Sequence, residues 1–323
     1  MPEPRSASRG SFGLAEAFVL WILFALVAVA TAVTYTRTPV RELYHVSVGG
    51  PAEGARAVLG FAGFPAALMA LAVLPLVLDR LPRRIVLSGA LLAAGLTATT
   101  FVPGALGDDR IDARPPNVFA ALGVALTFVL TIVAARTVGT GQPWRREPGD
   151  RVRLLVGAVL LFCALPWIAA ALDLSLHMPV LRSLFLTDQL RSQPGVPGQH
   201  QAVHAGFHHG LGGVMLALTA LLLSRAVPYL RVPQLRLLLA LYLSFLLAYG
   251  LANAVQDFEL EQIVKRGLTT YELPMVLVPT LSWAWALLLA FAAAIYALAI
   301  RPLARDPREN PASGPKKPLA IPV

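Results

Sequence analysis

The chain has 323 residues, of which 56% are hydrophobic and only 14% charged, and its mean hydropathy is +0.65. An ordinary soluble domain carries roughly 25% charged residues, so a water-soluble fold is excluded. The formal charge of +9 is scattered over short connections between apolar runs, which assigns it to a membrane surface and excludes nucleic acid as the partner.

Crossing the hydrocarbon layer takes about 20 mostly apolar residues as a helix, because lipid offers no partner to open backbone groups. The predicted class is therefore an all-α, polytopic integral membrane bundle with the lipid bilayer as its partner. Eight runs in chain order are the expected spans: Leu14 to Tyr35, Val58 to Leu78, Ile85 to Val102, Val118 to Ala134, Leu154 to Leu172, Val203 to Leu223, Leu237 to Val255 and Met275 to Ile300. In the first, the small-residue stretch Ala28-Val29-Ala30 has the pattern of a signal-peptide cleavage site, but the apolar length favours an uncleaved anchor. Pro65, Pro75 and Pro166 fall inside spans and are expected to kink them. The lone Cys163 lies in an apolar run and allows no disulfide within the chain. Trp283, Trp285 and Tyr271 read as interfacial anchors, and Tyr249 and Asn253 as hydrogen-bonding groups between helices.

Orientation follows from the basic residues. The N-terminus, the 79–84, 135–153 and 224–236 loops and the C-terminal tail hold 18 of the 27 Lys and Arg, and the alternate loops hold 9. The positive-inside rule places both termini in the cytoplasm, with the plasma membrane as the expected location. The expected organisation is a cytoplasmic N-terminus (1–13), a transmembrane helical domain (14–300) and a disordered cytoplasmic tail (301–323). The similarity of Leu68-Met69-Ala70-Leu71 to Val214-Met215-Leu216-Ala217 hints at two four-helix halves, 14–134 and 154–300.

All six histidines fall on the extracytoplasmic side of this topology: His45, His177, His200, His204, His208 and His209. Histidine at every fourth residue from His200 to His208 lines one stripe if the segment is helical, since successive members rotate only about 40°. An i,i+4 pair of imidazoles is a workable clamp for zinc, copper or iron. Gly198, Gly206 and Gly210 work against the helix. Asp173 and His177 are also four apart at the end of the fifth span, and Asp257 and Glu261 repeat that spacing beyond the seventh. A further acidic run, Asp108-Asp109-Arg110-Ile111-Asp112, occupies the loop after the third.

These residues give a candidate metal set of His204, His208, His200, His209, Asp173, His177 and Asp257, with zinc, iron or copper as the ion. The bland reading is that imidazoles and carboxylates sit hydrated among headgroups. Two functions use the set. One is a metal-dependent membrane enzyme whose His/Asp site faces the extracytoplasmic side and activates water or polarises a lipid ester. The alternative is a transporter or permease for a metal ion or small solute, with the same groups as an entry vestibule. Carriers usually place ionisable groups near the midplane, where this chain has almost none. A haem site ranks below both because the histidines lie at the span edges. No Gly-x-Ser-x-Gly elbow, His-Glu-x-x-His pattern or Walker sequence is present.

Overall fold

The structure, a computed structural model, describes residues 13–43, 50–102, 114–140, 146–174, 180, 190–193, 196–201 and 204–304. It is 80% helical. Helices form at all eight predicted runs. We number them α1 (Leu14–Arg37), α2 (Pro51–Arg80), α3 (Arg83–Ala98), α4 (Pro115–Val138), α5 (Asp150–Ala171), α6 (His209–Ser224), α7 (Pro233–Val264) and α8 (Trp283–Ala304). Six of them, all but α3 and α6, are long and apolar enough to cross a membrane. The chain is accordingly a helical membrane protein.

Local chemistry explains where the helices begin and turn. Proline opens α2, α4 and α7, where its missing N–H removes a donor the helix could not use and its fixed φ suits the first turn. Asn117 Oδ1 accepts from Arg114 N at 3.0 Å at the start of α4. Asp150 in the first turn of α5 faces the positive end of the helix dipole. α2 widens into a π turn at Val58–Ala62, just ahead of Pro65, and α7 widens likewise at Leu260–Val264. Such turns re-satisfy backbone groups that proline or strain has freed. Both α2 and α5 run on as helix through Pro75 and Pro166.

Two expected spans are corrected. The sixth was read from Val203, but the helix begins at His209; 196–201 is a strand paired antiparallel with Leu190–Gln193, so the histidine stripe is not helical. Glycine at positive φ, +94° at Gly198 and +111° at Gly206, breaks the pattern. The eighth was read from Met275, yet helix starts only at Trp283, capped by Ser282 Oγ, which accepts from Trp285 N. Pro274 and Pro279 keep the intervening stretch from winding.

α2 and α6 form the buried centre; α8 lies at the edge, with most of its surface exposed. α6 and α7 approach backbone to backbone at Gly213 and Gly250, where a Cβ on either would collide with the carbonyl of the other. Tyr242 Oη donates to Leu68 O at 3.0 Å and ties α7 to α2.

Candidate metal centre

The end of the bundle where α1 and α5 finish, and α2 and α6 begin, gathers a set of buried polar residues. The chain enters it through 204–208, an extended segment fastened to three neighbours. Ala205 N donates to Glu42 O (3.1 Å), Gly206 N to Ala170 O (3.0 Å) and Phe207 N to Tyr35 Oη (3.2 Å). At Gly206 a Cβ would stand 2.5 Å from the Tyr35 hydroxyl, so both space and φ demand glycine there. This turn folds His204 back over His208, and their rings stack with centroids 4.4 Å apart and planes 7° from parallel. The i,i+4 pair expected from a helix is thus made by a glycine turn.

Each imidazole has one nitrogen facing a backbone carbonyl. His204 Nδ1 lies 2.9 Å from Ala205 O, and His208 Nε2 lies 3.1 Å from His204 O. A carbonyl only accepts, so these nitrogens donate. In the neutral rings the lone pairs are then at His204 Nε2 and His208 Nδ1. Donation of the second ring N–H to a carbonyl is the usual arrangement of a metal-bound histidine.

Glu261 comes from the π turn of α7. One donor atom from each of His204, His208 and Glu261 lies within 4.8 Å of the others, and all three residues are buried. Three atoms so placed share a centre no more than about 2.8 Å from each, against metal–ligand bonds of about 2.0–2.2 Å. Glu261 Oε1 accepts from Lys265 Nζ at 2.6 Å. Its Oε2 is buried with no hydrogen-bond partner among the described residues, an arrangement that costs free energy unless something binds there.

Asp257, one turn earlier on α7, stands beside this group. Its Oδ2 accepts from Gly210 N (3.0 Å) and lies 3.8 Å from His208 Nδ1, while Oδ1 lies 3.1 Å from His209 Nδ1. The carboxylate thereby caps the N-terminus of α6, satisfying a donor that has no partner within its own helix. Only a glycine at 210 permits the approach, since a Cβ would stand 2.6 Å from Oδ2 and 2.5 Å from the Trp167 ring. His209 Nε2 lies 2.6 Å from Gln256 Oε1. Two more buried polar atoms, Trp167 Nε1 and Asn253 Oδ1, lack partners among the described residues. The Asn253 amide is oriented by Nδ2 donating to Tyr249 O at 2.9 Å.

The predicted site residues divide accordingly. The structure brings His204 and His208 together and sets Asp257 and His209 next to them, outside the three-ligand group. Asp173, at φ 57° beyond α5, accepts from Thr38 Oγ1 at 2.9 Å and is not in the group either. His200 is in the second strand, its backbone opposite Arg191, with its side chain outside the described part. His45, His177 and the 108–112 acids lie outside the described residues. The residue missing from the predicted set is Glu261; its sequence signal was the i,i+4 spacing from Asp257, which puts both on one face of α7.

Two imidazoles and a carboxylate are a borderline donor set suited to zinc, iron or manganese, and three protein ligands leave coordination positions open. Comparison with protein-family models, curated proteins and solved structures returned no match for this chain.

Proposed function

We propose that the chain is an eight-span protein of the plasma membrane, with both termini in the cytoplasm, and a metal-dependent enzyme whose site opens at the extracytoplasmic end. The distribution of Lys and Arg supports the orientation. The observation that carries the function is the convergence of His204, His208 and Glu261: two imidazoles each with one nitrogen already committed to a carbonyl, and a buried carboxylate oxygen without a hydrogen-bond partner among the described residues. A zinc or iron ion held by His204, His208 and Glu261 would supply Lewis acidity and lower the pKa of bound water, the chemistry of ester hydrolysis. The protein's own part is to orient the ligands: the carbonyls fix the tautomers, and Asp257 holds the start of α6, and so His208 and His209, against α7.

Plasma mass spectrometry of the detergent-purified protein tests this. Wild type is expected to carry about one equivalent of metal, and the His204→Ala/His208→Ala variant none. Hydrolysis of lipid esters by wild type and not by the variant supports the enzyme. Absence of metal from both proteins refutes the centre.

The transporter reading draws on a different observation, the buried Asn253 Oδ1 on α7 below Glu261, which has no hydrogen-bond partner among the described residues. A carrier is expected to show metal uptake into proteoliposomes that falls in Asn253→Ala. Uptake unaffected by that change leaves the enzyme as the better reading.

A further inference from the structure

The connection between α7 and α8 turns back on itself. It leaves α7 at Lys265, beyond Glu261, and regains helix only at Trp283. On the way, Leu277 O accepts from Tyr249 Oη at 2.7 Å. Tyr249 lies twelve residues before Glu261, about 18 Å back along the axis at 1.5 Å per residue. The chain therefore descends beside α7 by roughly 18 Å from the level of Glu261, a little over three helical turns, before α8 starts. Leu273 N donates to Glu259 Oε2 (3.3 Å) near the top, and Trp285 Nε1 donates to Val278 O (3.0 Å) near the bottom.

The outward side of this segment is mainly apolar; its exposed polar residues are Thr270 and Glu272 before Met275, and Thr280 and Ser282, whose hydroxyls lie 3.0 Å from one another, just ahead of α8. Leu268, Tyr271, Met275, Val278 and Leu281 are exposed, Leu281 completely, while Val276 turns inward to the core. Leu287 and Phe291 on α8 are exposed as well. Large apolar side chains exposed in this number mark a surface that meets an apolar phase. Non-helical backbone at hydrocarbon depth is tolerated where neighbours satisfy its polar groups. Here the two carbonyls at the lowest point receive donors from α7 and α8, and Pro274 and Pro279 bring no N–H that needs a partner.

We infer that residues 268–282 form a re-entrant segment seated in the bilayer leaflet on the side of the candidate metal centre, with lipid acyl chains against its outer face. The inference stands apart from metal binding. It brings bilayer lipid alongside Glu259 and Lys265, at the rim of the centre.

Nitroxide labels test it, attached singly at Met275→Cys and Leu281→Cys in the full chain carrying Cys163→Ala and reconstituted into phosphatidylcholine vesicles. Both labels are expected to collide several-fold more with oxygen, which partitions into hydrocarbon, than with a water-soluble nickel chelate, matching a label at Leu287→Cys on α8. A label at Thr140→Cys, in an exposed loop at the other end of the bundle, is expected to show the reverse. Nickel preference at either 275 or 281 overturns the inference. Shielding from both reagents overturns it too, because protein and not lipid would then cover the segment.

Discussion

Both ends of the bundle bury charge, but they do so differently. At the end where α2 and α6 finish, Asp79 pairs with Arg80, and its Oδ1 accepts from Arg231 N (2.8 Å) and Val232 N (2.9 Å). Arg225 lies between Glu16 (3.5 Å) and Asp150 (3.6 Å), and Arg153 bridges Asp150 (3.1 Å) to Ser224 (2.9 Å). Every buried acid there faces a guanidinium. At the opposite end Asp257 faces imidazoles and a backbone N–H, and Glu261 has one lysine and one oxygen left over. The first arrangement matches carboxylates to permanently charged guanidiniums and serves the fold, although Glu16 Oε1 there also has no hydrogen-bond partner among the described residues. The second sets a carboxylate oxygen beside two imidazoles, which carry lone pairs that guanidinium lacks, and so offers a cation the ligands that the first cannot.

Substitutions can break this contrast. The largest effect is expected from His204→Ala/His208→Ala, which removes two of three ligands: bound metal is lost while the thermal melt of the metal-free protein hardly moves. Asp79→Asn is expected to do the opposite. It leaves Arg80 buried without its carboxylate, costing about 3–5 kcal/mol, read as a lowered melting temperature in detergent with metal content unchanged. Asp257→Asn belongs to both classes. It weakens metal binding by about 10- to 100-fold through the orientation of His208 and also lowers the melting temperature, because it loosens the cap on α6. Thr38→Val sharpens the contrast from below. Loss of the single bond to Asp173 is expected to cost about 1 kcal/mol and to leave metal affinity, measured by competition with a chelator dye, unaltered.

Hydropathy made the helices legible because in a bilayer every crossing must announce itself as an apolar run. It was weakest where backbone geometry decides. The period-four histidines implied a helix, whereas Gly206 at φ +111° turns the chain and stacks the same two rings by another route. Asp257 and Glu261 share a face of α7 in any sequence reading. Both reach imidazoles, but that Glu261, from the π turn at Leu260–Val264, is the one that converges with His204 and His208 is something the residue pattern does not reveal. The late start of α8 was legible in Pro274 and Pro279, but the apolar character of 275–282 outweighed them.

The ligands sit at the two far ends of one helical hairpin: His204 and His208 just before α6, and Glu261 at the close of α7. An ion shared among them would fasten the hairpin shut and would bind only chains in which it has closed. Metal concentration would then be a folding variable, and an excess of about a hundredfold over the dissociation constant would add about 2.7 kcal/mol to the folded state. Cells short of that metal would hold less intact protein before they held less active protein.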